Sequence, residues 1–248
     1  MHQKIDNSNN CMPSQHGGYS PGKEKPMLNI INDILKENKR GFKLIDIGCG
    51  DGFFLNMFYQ ILEEKKIDLD NVKLVGIDKH EYHNSSRNNK IFFLKEDIFE
   101  IEKHFPHNYF DFVVCSEVIE HVVETDKLIK KIKKILKPNG FLFLTTPNLA
   151  SYHGRFSLLM GLLPLASEIS NENAKFGKGF LSKYYFTSSK PIFHVRVFTL
   201  KALKEFIIFH KLEIKNISGF DYKMPWFWKK IPSFAPGIYM ICQNTKDF

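Results

Sequence analysis

Two groups of residues in this chain have types and spacings that could do chemistry. Glu117, Glu120 and His121 stand at intervals that a helix would bring to one side, and His194 follows in the segment HVRVFT. An imidazole titrates near neutral pH, so His121 or His194 could take a proton from a hydroxyl with Glu117 beside it, or either could only hydrogen-bond the backbone. The second group is the spacing Asp-x-Gly-x-Gly-x-Gly, set by Asp46, Gly48, Gly50 and Gly52 inside KLIDIGCGDGFF. Glycines take positive φ and let a ligand approach the main chain closely. The turn, with Cys49 inside it, is therefore expected to present bare backbone N–H groups to a small molecule. A dinucleotide fingerprint would place its third glycine one residue later, and the Asp46 carboxylate suits an amino-bearing or cationic group better than a phosphate.

The elements that must position these groups can be read from patterning. Leu44–Ile47 is an apolar run that ends in the turn, and Phe53–Glu64 continues as a helix. VKLVGI, residues 72–77, reads as a second strand ending in Asp78, with Lys79 after it; a carboxylate there could accept from both hydroxyls of a ribose, or be an exposed loop acid. IFFLK, residues 91–95, is a third strand, followed by Asp97 and Ile98. Phe112–Cys115 is a fourth, buried on both faces, with Ser116 and Glu117 at its carboxyl end beside the end of the first. DKLIKKIKKILK, residues 126–137, is an amphipathic helix. Pro138–Gly140 makes a turn and FLFLT, residues 141–145, a fifth strand. Thr199 should cap a helix over Leu200–Phe209, with strands at 212–218 and 238–243.

The glycine turn resembles motif I of the class I S-adenosylmethionine-dependent methyltransferases, and the stretch LKPNGFLFLTTPN resembles the turn and fifth strand of that family. The resemblance covers roughly residues 44–148. It implies a Rossmann-like α/β fold: a doubly wound, mostly parallel sheet of seven strands with an antiparallel last strand, plus a helical or loop cap. It implies S-adenosyl-L-methionine as cofactor, with Asp46, Gly48, Cys49, Gly50 and Gly52 at its amino-acid end and Asp78 and Lys79 at the ribose. Asp97 and Ile98 would hold the adenine, with Ser116 nearby, although Asp97 could instead cap a following helix. The string Glu-x-x-Glu-His-Val resembles the ubiquinone-biosynthesis O-methyltransferases and many small-molecule or glycan-modifying methyltransferases. Together with His194 it also resembles the metal site of small-RNA 3′-terminal 2′-O-methyltransferases, which would make Glu117, Glu120, His121 and His194 ligands for Mg²⁺ or Mn²⁺. The reading adopted is O-methylation of a small-molecule, sugar- or lipid-linked acceptor without metal, with His121, His194 and Glu117 catalytic. The alternatives are the metal-dependent RNA enzyme and a non-catalytic cofactor-binding protein.

Composition sets the frame. A chain of 248 residues can bury a full core. The net charge of +8 permits anionic partners, nucleic acid or a lipid surface among them, without requiring one. Cys11, Cys49, Cys115 and Cys242 lie too far apart for a Cys-x-x-Cys site and fit reduced thiols in a cytoplasm. Residues 1–25 read as a disordered leader without a signal peptide, and residues 26–38 as an amphipathic helix. A single domain is expected over 26–248. Within it, 149–191 breaks the strand–helix alternation and is expected to cap the substrate, with a helix at 152–163. The loop MPWFWKKIPSF, including Trp226, Phe227, Trp228, Lys229 and Lys230, could meet a membrane surface, a nucleobase or a lipid-like substrate, or fold into a hydrophobic cluster of its own.

Overall fold

In a computed structural model of the protein, residues 42–80, 90–185, 189–221 and 225–245 are described. The leader and the helix expected at 26–38 lie outside them. Seven strands form one sheet: β1 (Phe42–Ile47), β2 (Val72–Asp78), β3 (Ile91–Lys95), β4 (Phe110–Ser116), β5 (Leu136–Pro147), β6 (Glu213–Phe220) and β7 (Gly237–Gln243). Their order is β3-β2-β1-β4-β5-β7-β6, and β7 runs antiparallel to both β5 and β6 while the strands from β3 to β5 are parallel. This is the doubly wound sheet the sequence predicts. The helices are α1 (Phe53–Glu64), α2 (Thr125–Ile135), α3 (Tyr152–Leu159), α4 (Ser182–Tyr185), α5 (Leu200–Phe209) and α6 (Pro225–Trp228).

The inner strands are largely apolar on both faces, and alternate residues feed two cores. Ile45, Ile47, Val113, Cys115, Leu142 and Leu144 pack with Leu128, Ile129 and Ile132 of α2 and Leu203 and Ile207 of α5. The intervening Leu44, Phe112, Val114 and Phe143 pack with Leu55, Phe58 and Leu62 of α1. As expected, Thr199 caps α5, its hydroxyl accepting from Ala202 N at 3.2 Å. Cys49, Cys115 and Cys242 are free thiols, and among the described residues no helix is long and apolar enough to cross a membrane.

Two boundaries differ from the sequence expectation. The turn predicted at 138–140 is absorbed into β5, which begins at Leu136: Phe110 pairs with Leu136 but Phe112 pairs with Phe141, so the intervening residues bulge out of register. The bulge is held by the end of the chain's last strand, because Asn139 N donates to Asn244 O at 2.7 Å and Asn244 N to Gly140 O at 2.9 Å. Helix α3, expected to reach about 163, ends at Leu159, and Gly161 takes φ 69° and turns the chain away.

Asn244 also donates from Nδ2 to the carbonyls of Lys133, Leu136 and Lys137 at 3.2–3.3 Å, closing the carboxyl end of α2. Asn244→Ala is expected to cost about 1–3 kcal/mol. Asn244→Asp should cost more, since it sets an anion against three carbonyl oxygens. Urea denaturation of the three proteins checks both the cost and the order.

Candidate active site

The glycine turn does not offer bare donors. Gly48 and Cys49 both donate to the carbonyl of Ile77, at 2.8 and 3.2 Å, Gly50 donates to Asp78 Oδ2 at 3.1 Å, and Gly52 donates to Cys49 O at 2.9 Å. Because β1 and β2 are adjacent, the turn closes onto the end of β2 and spends the first three of these N–H groups there, the fourth staying within the turn. Glycine is still required at Gly48, where φ is 69° and a Cβ would meet Val118 Cγ2 at 2.5 Å, and at Gly52, where φ is 80° and a Cβ would meet the Phe93 ring at 2.4 Å.

What the crevice offers a ligand is acceptors. Asp46 is 5% exposed, and burial, with the Asp78 charge second, pushes its carboxyl well above the usual range. Asp78, at the end of β2, accepts from Gly50 N through Oδ2 and from His80 N through Oδ1 at 2.9 Å. A carboxylate oxygen accepts more than one hydrogen bond, so these contacts orient Asp78 without exhausting it. Lys79 beside it is exposed. Asp97 does cap the short turn Ile98–Lys103, accepting from Phe99 N at 2.9 Å through Oδ1. Ile98 is partly buried against the core, and Ser116 Oγ lies 2.9 Å from Thr145 Oγ1. Carboxylates grouped at the ends of neighbouring strands fit a cofactor that carries an amino group, a diol and a cationic centre.

The second group is arranged differently from its sequence spacing. No helix forms at Glu117; the residue takes φ 56°, and only Ile119–His121 makes a single 3-10 turn. Glu117 consequently parts from Glu120 and His121. Glu117 Oε1 accepts from Thr145 Oγ1 at 2.6 Å, while Glu120, 1% exposed, accepts from Thr146 Oγ1 at 3.1 Å. His121 turns to meet His194, their ring centroids 4.9 Å apart. One ligand atom each from Glu120, His121 and His194 lies within 4.8 Å of the others, and Glu117 is not part of this group.

Both imidazoles are oriented by carbonyls. His121 Nδ1 lies 3.1 Å from Phe193 O, and His194 Nδ1 lies 3.0 Å from Ala166 O. A carbonyl only accepts, so each Nδ1 carries the hydrogen and each neutral ring keeps its lone pair on Nε2. Burial, and then the neighbouring His194, lowers the His121 pKa and favours this neutral form. Thr145 and Thr146, which hold Glu117 and Glu120, escaped the sequence reading. Their signal was a pair of hydroxyls at the carboxyl end of an inner strand.

The loop of Trp226 to Lys230 folds partly into a cluster. Trp228 is 5% exposed and stacks on Tyr152 of α3, centroids 5.4 Å apart and planes 3° apart. Lys229 and Lys230 are exposed, and the side chain of Trp226 lies outside the described residues.

A mostly parallel sheet whose strand order reverses beside β1, with acceptors at the ends of β1 and β2, has the arrangement in which open α/β folds bind ligands. Residues 22–206 match the family model of the methyltransferase domain. The ubiquinone biosynthesis O-methyltransferase of Paraburkholderia phymatum is 28% identical over 140 residues, 54% of this chain and 59% of that protein. The mitochondrial ubiquinone biosynthesis O-methyltransferase of Dictyostelium discoideum is 29% identical over 136 residues, 49% of this chain and 41% of that protein. The chain thus spans about half the length of these curated relatives. The crystal structure of Burkholderia thailandensis 1,6-didemethyltoxoflavin-N1-methyltransferase with bound 1,6-didemethyltoxoflavin and S-adenosylhomocysteine shares the fold, with a TM-score of 0.54 at 12% identity over 91% of this chain and 79% of that one. The chain belongs to the methyltransferase-domain family, of the class I S-adenosylmethionine-dependent kind.

Asp46 carries a pH signature. Its folded-state pKa is raised, so its contribution to stability is full below the unfolded value and is lost as pH rises toward the folded one. Asp46→Asn, which stays neutral, should gain stability relative to wild type as pH rises from about 4 toward neutrality. Urea unfolding across that range would refute this if the two curves ran parallel.

Proposed function

We propose that the protein transfers a methyl group from S-adenosylmethionine to a hydroxyl of a small-molecule, sugar- or lipid-linked acceptor, held beneath residues 149–191. The observation that carries this reading is the imidazole pair, with Nδ1 hydrogens committed to Phe193 O and Ala166 O and Nε2 lone pairs left for proton removal. The relatives named for O-methylation in ubiquinone biosynthesis support oxygen as the acceptor atom and a small or lipid-linked acceptor. Methyl transfer to a hydroxyl needs little beyond alignment and a base, because S-adenosylmethionine, when bound, supplies an already activated methyl group.

The chain's own residues divide the remaining work. Asp46 and the turn from Gly48 through Cys49 and Gly50 to Gly52 hold the amino-acid end, and Asp78 with Lys79 holds the ribose. Asp97 and Ile98 hold the adenine, and Ser116 stands at the crevice floor. His121 or His194 removes the hydroxyl proton, and Glu117, fixed by Thr145, supports that end of the crevice electrostatically. Residues 149–191 serve as the cap of a single domain that works in the cytoplasm. The exposed Lys229 and Lys230 allow contact with an anionic membrane surface.

A second reading follows from the grouping of Glu120, His121 and His194. A divalent cation such as Mn²⁺ fits that donor set, since each histidine gives its other ring hydrogen to a carbonyl, the arrangement that orients imidazole ligands. The cation would grip adjacent hydroxyls, as on a terminal ribose of RNA.

Calorimetry separates these readings. S-Adenosylhomocysteine should bind wild type, and Asp78→Ala should weaken that binding about 10- to 100-fold. A heat of Mn²⁺ binding that is lost in His194→Ala would favour the metal reading. Replacing His121 and His194 together by alanine should slow methyl transfer about 100-fold or more on a panel of phenolic, sugar and lipid-linked alcohols. Full turnover without either imidazole would remove the base from the mechanism.

A further inference from the structure

Glu168 lies in the cap, outside every motif, yet its carboxylate is heavily used. Oε1 and Oε2 accept from Ile192 N at 2.8 and 3.0 Å, and Oε2 also accepts from Phe193 N at 2.7 Å. Two successive N–H groups turned onto one carboxylate form an anion-holding nest, and hydrogen bonds to an ionised acceptor are the strong kind. The backbone takes the shape this requires: Phe193 has φ 64°, a conformation that a residue with a Cβ adopts only when something holds it there.

The residues so held are the ones that orient the imidazoles. Phe193 O accepts from His121 Nδ1, and the next residue is His194, whose Nδ1 donates to Ala166 O, two positions before Glu168. Each side of this loop pair therefore grips the other. The far end of the segment is fixed as well, since Val195 N and Arg196 N donate to Glu120 O at 2.8 and 3.0 Å. On the Glu168 side, the buried Lys178 donates from Nζ to Leu165 O at 3.0 Å.

We propose that Glu168 is a positioning residue: by holding Phe193 in its left-handed conformation it keeps both imidazoles in the Nδ1–H form, with their Nε2 lone pairs available. Its catalytic consequence rests on the histidines acting as proposed above. The clasp itself does not, and it can be read separately.

The test uses the full chain with Glu168→Ala, Glu168→Asp and Glu168→Gln. Nitrogen-15 NMR of the imidazoles, at a pH where both are neutral, reports which ring nitrogen carries the hydrogen and needs no acceptor. Calorimetric S-adenosylhomocysteine affinity shows that the sheet remains folded. Wild type should show Nδ1–H at His121 and His194. Glu168→Ala should move both toward the Nε2–H form that a free imidazole prefers, with cofactor affinity unchanged. Glu168→Asp keeps the charge but is one methylene too short to span both N–H groups, and should shift the same way. It is the variant to read if the alanine protein does not fold. Glu168→Gln retains an acceptor oxygen and should restore the Nδ1–H forms. Where turnover is measured, the alanine variant should lose about 10- to 100-fold, as supporting partners of functional side chains do. Retention of both Nδ1–H forms in the alanine and aspartate variants overturns the proposal. A failure of the base reading shows elsewhere, as full turnover in the histidine variants.

Discussion

The carbonyl of Ile77 is the point on which the crevice depends. It accepts from both Gly48 and Cys49, and in doing so folds the chain leaving β1 back against the end of β2. The two strands pair in register from Phe42 with Val72 to Ile47 with Ile77, so the turn can close only where the ladder stops. From that closure follow the bond between Gly50 and Asp78 and the burial of Asp46 close enough to Asp78 to feel its charge. The other flank of β1 is β4, which delivers Ser116 and Glu117 to the same edge. The strand order reverses here, with β2 and β3 to one side and β4 and β5 to the other, and open α/β sheets bind ligands at such a point.

Burial sets the electrostatic character of the two ends of the crevice in the same direction. Asp46 is pushed toward its protonated form and His121 toward its unprotonated form, so each favours neutrality. A neutral imidazole accepts a proton, whereas an imidazolium could not. Asp78 and Glu117, less deeply placed, are tied instead to backbone N–H groups and to the Thr145 hydroxyl.

Local patterning was enough for the sheet, because a strand buried on both faces leaves an apolar run such as Phe112–Cys115 that little else produces. Helices α1 and α5 match the 3.6-residue period to the residue, and Thr199 announces its own cap. The features missed are those set by partners far along the chain. The donors of the glycine turn looked available because Ile77 is remote in sequence, and Glu117 looked helical because nothing local reveals a positive φ. Thr145 passed as an ordinary β-branched strand residue, and Thr146 lay just past the expected strand. Glu168 stands in a segment with no periodicity, where an acid looks like solvated surface. In each case the residue type was visible and its partner was not.

The stack of Tyr152 on Trp228 bears on how such a protein can diversify. Helix α3 belongs to the segment between β5 and α5, whereas Trp228 lies beyond β6, so the stack joins two stretches separated in sequence by a whole helix and strand. Recombination that swapped residues 149–191 as one cassette would strip Trp228 of the ring that covers it and expose an indole now 5% accessible. Single residues can therefore drift within either stretch, but wholesale exchange requires both to travel together.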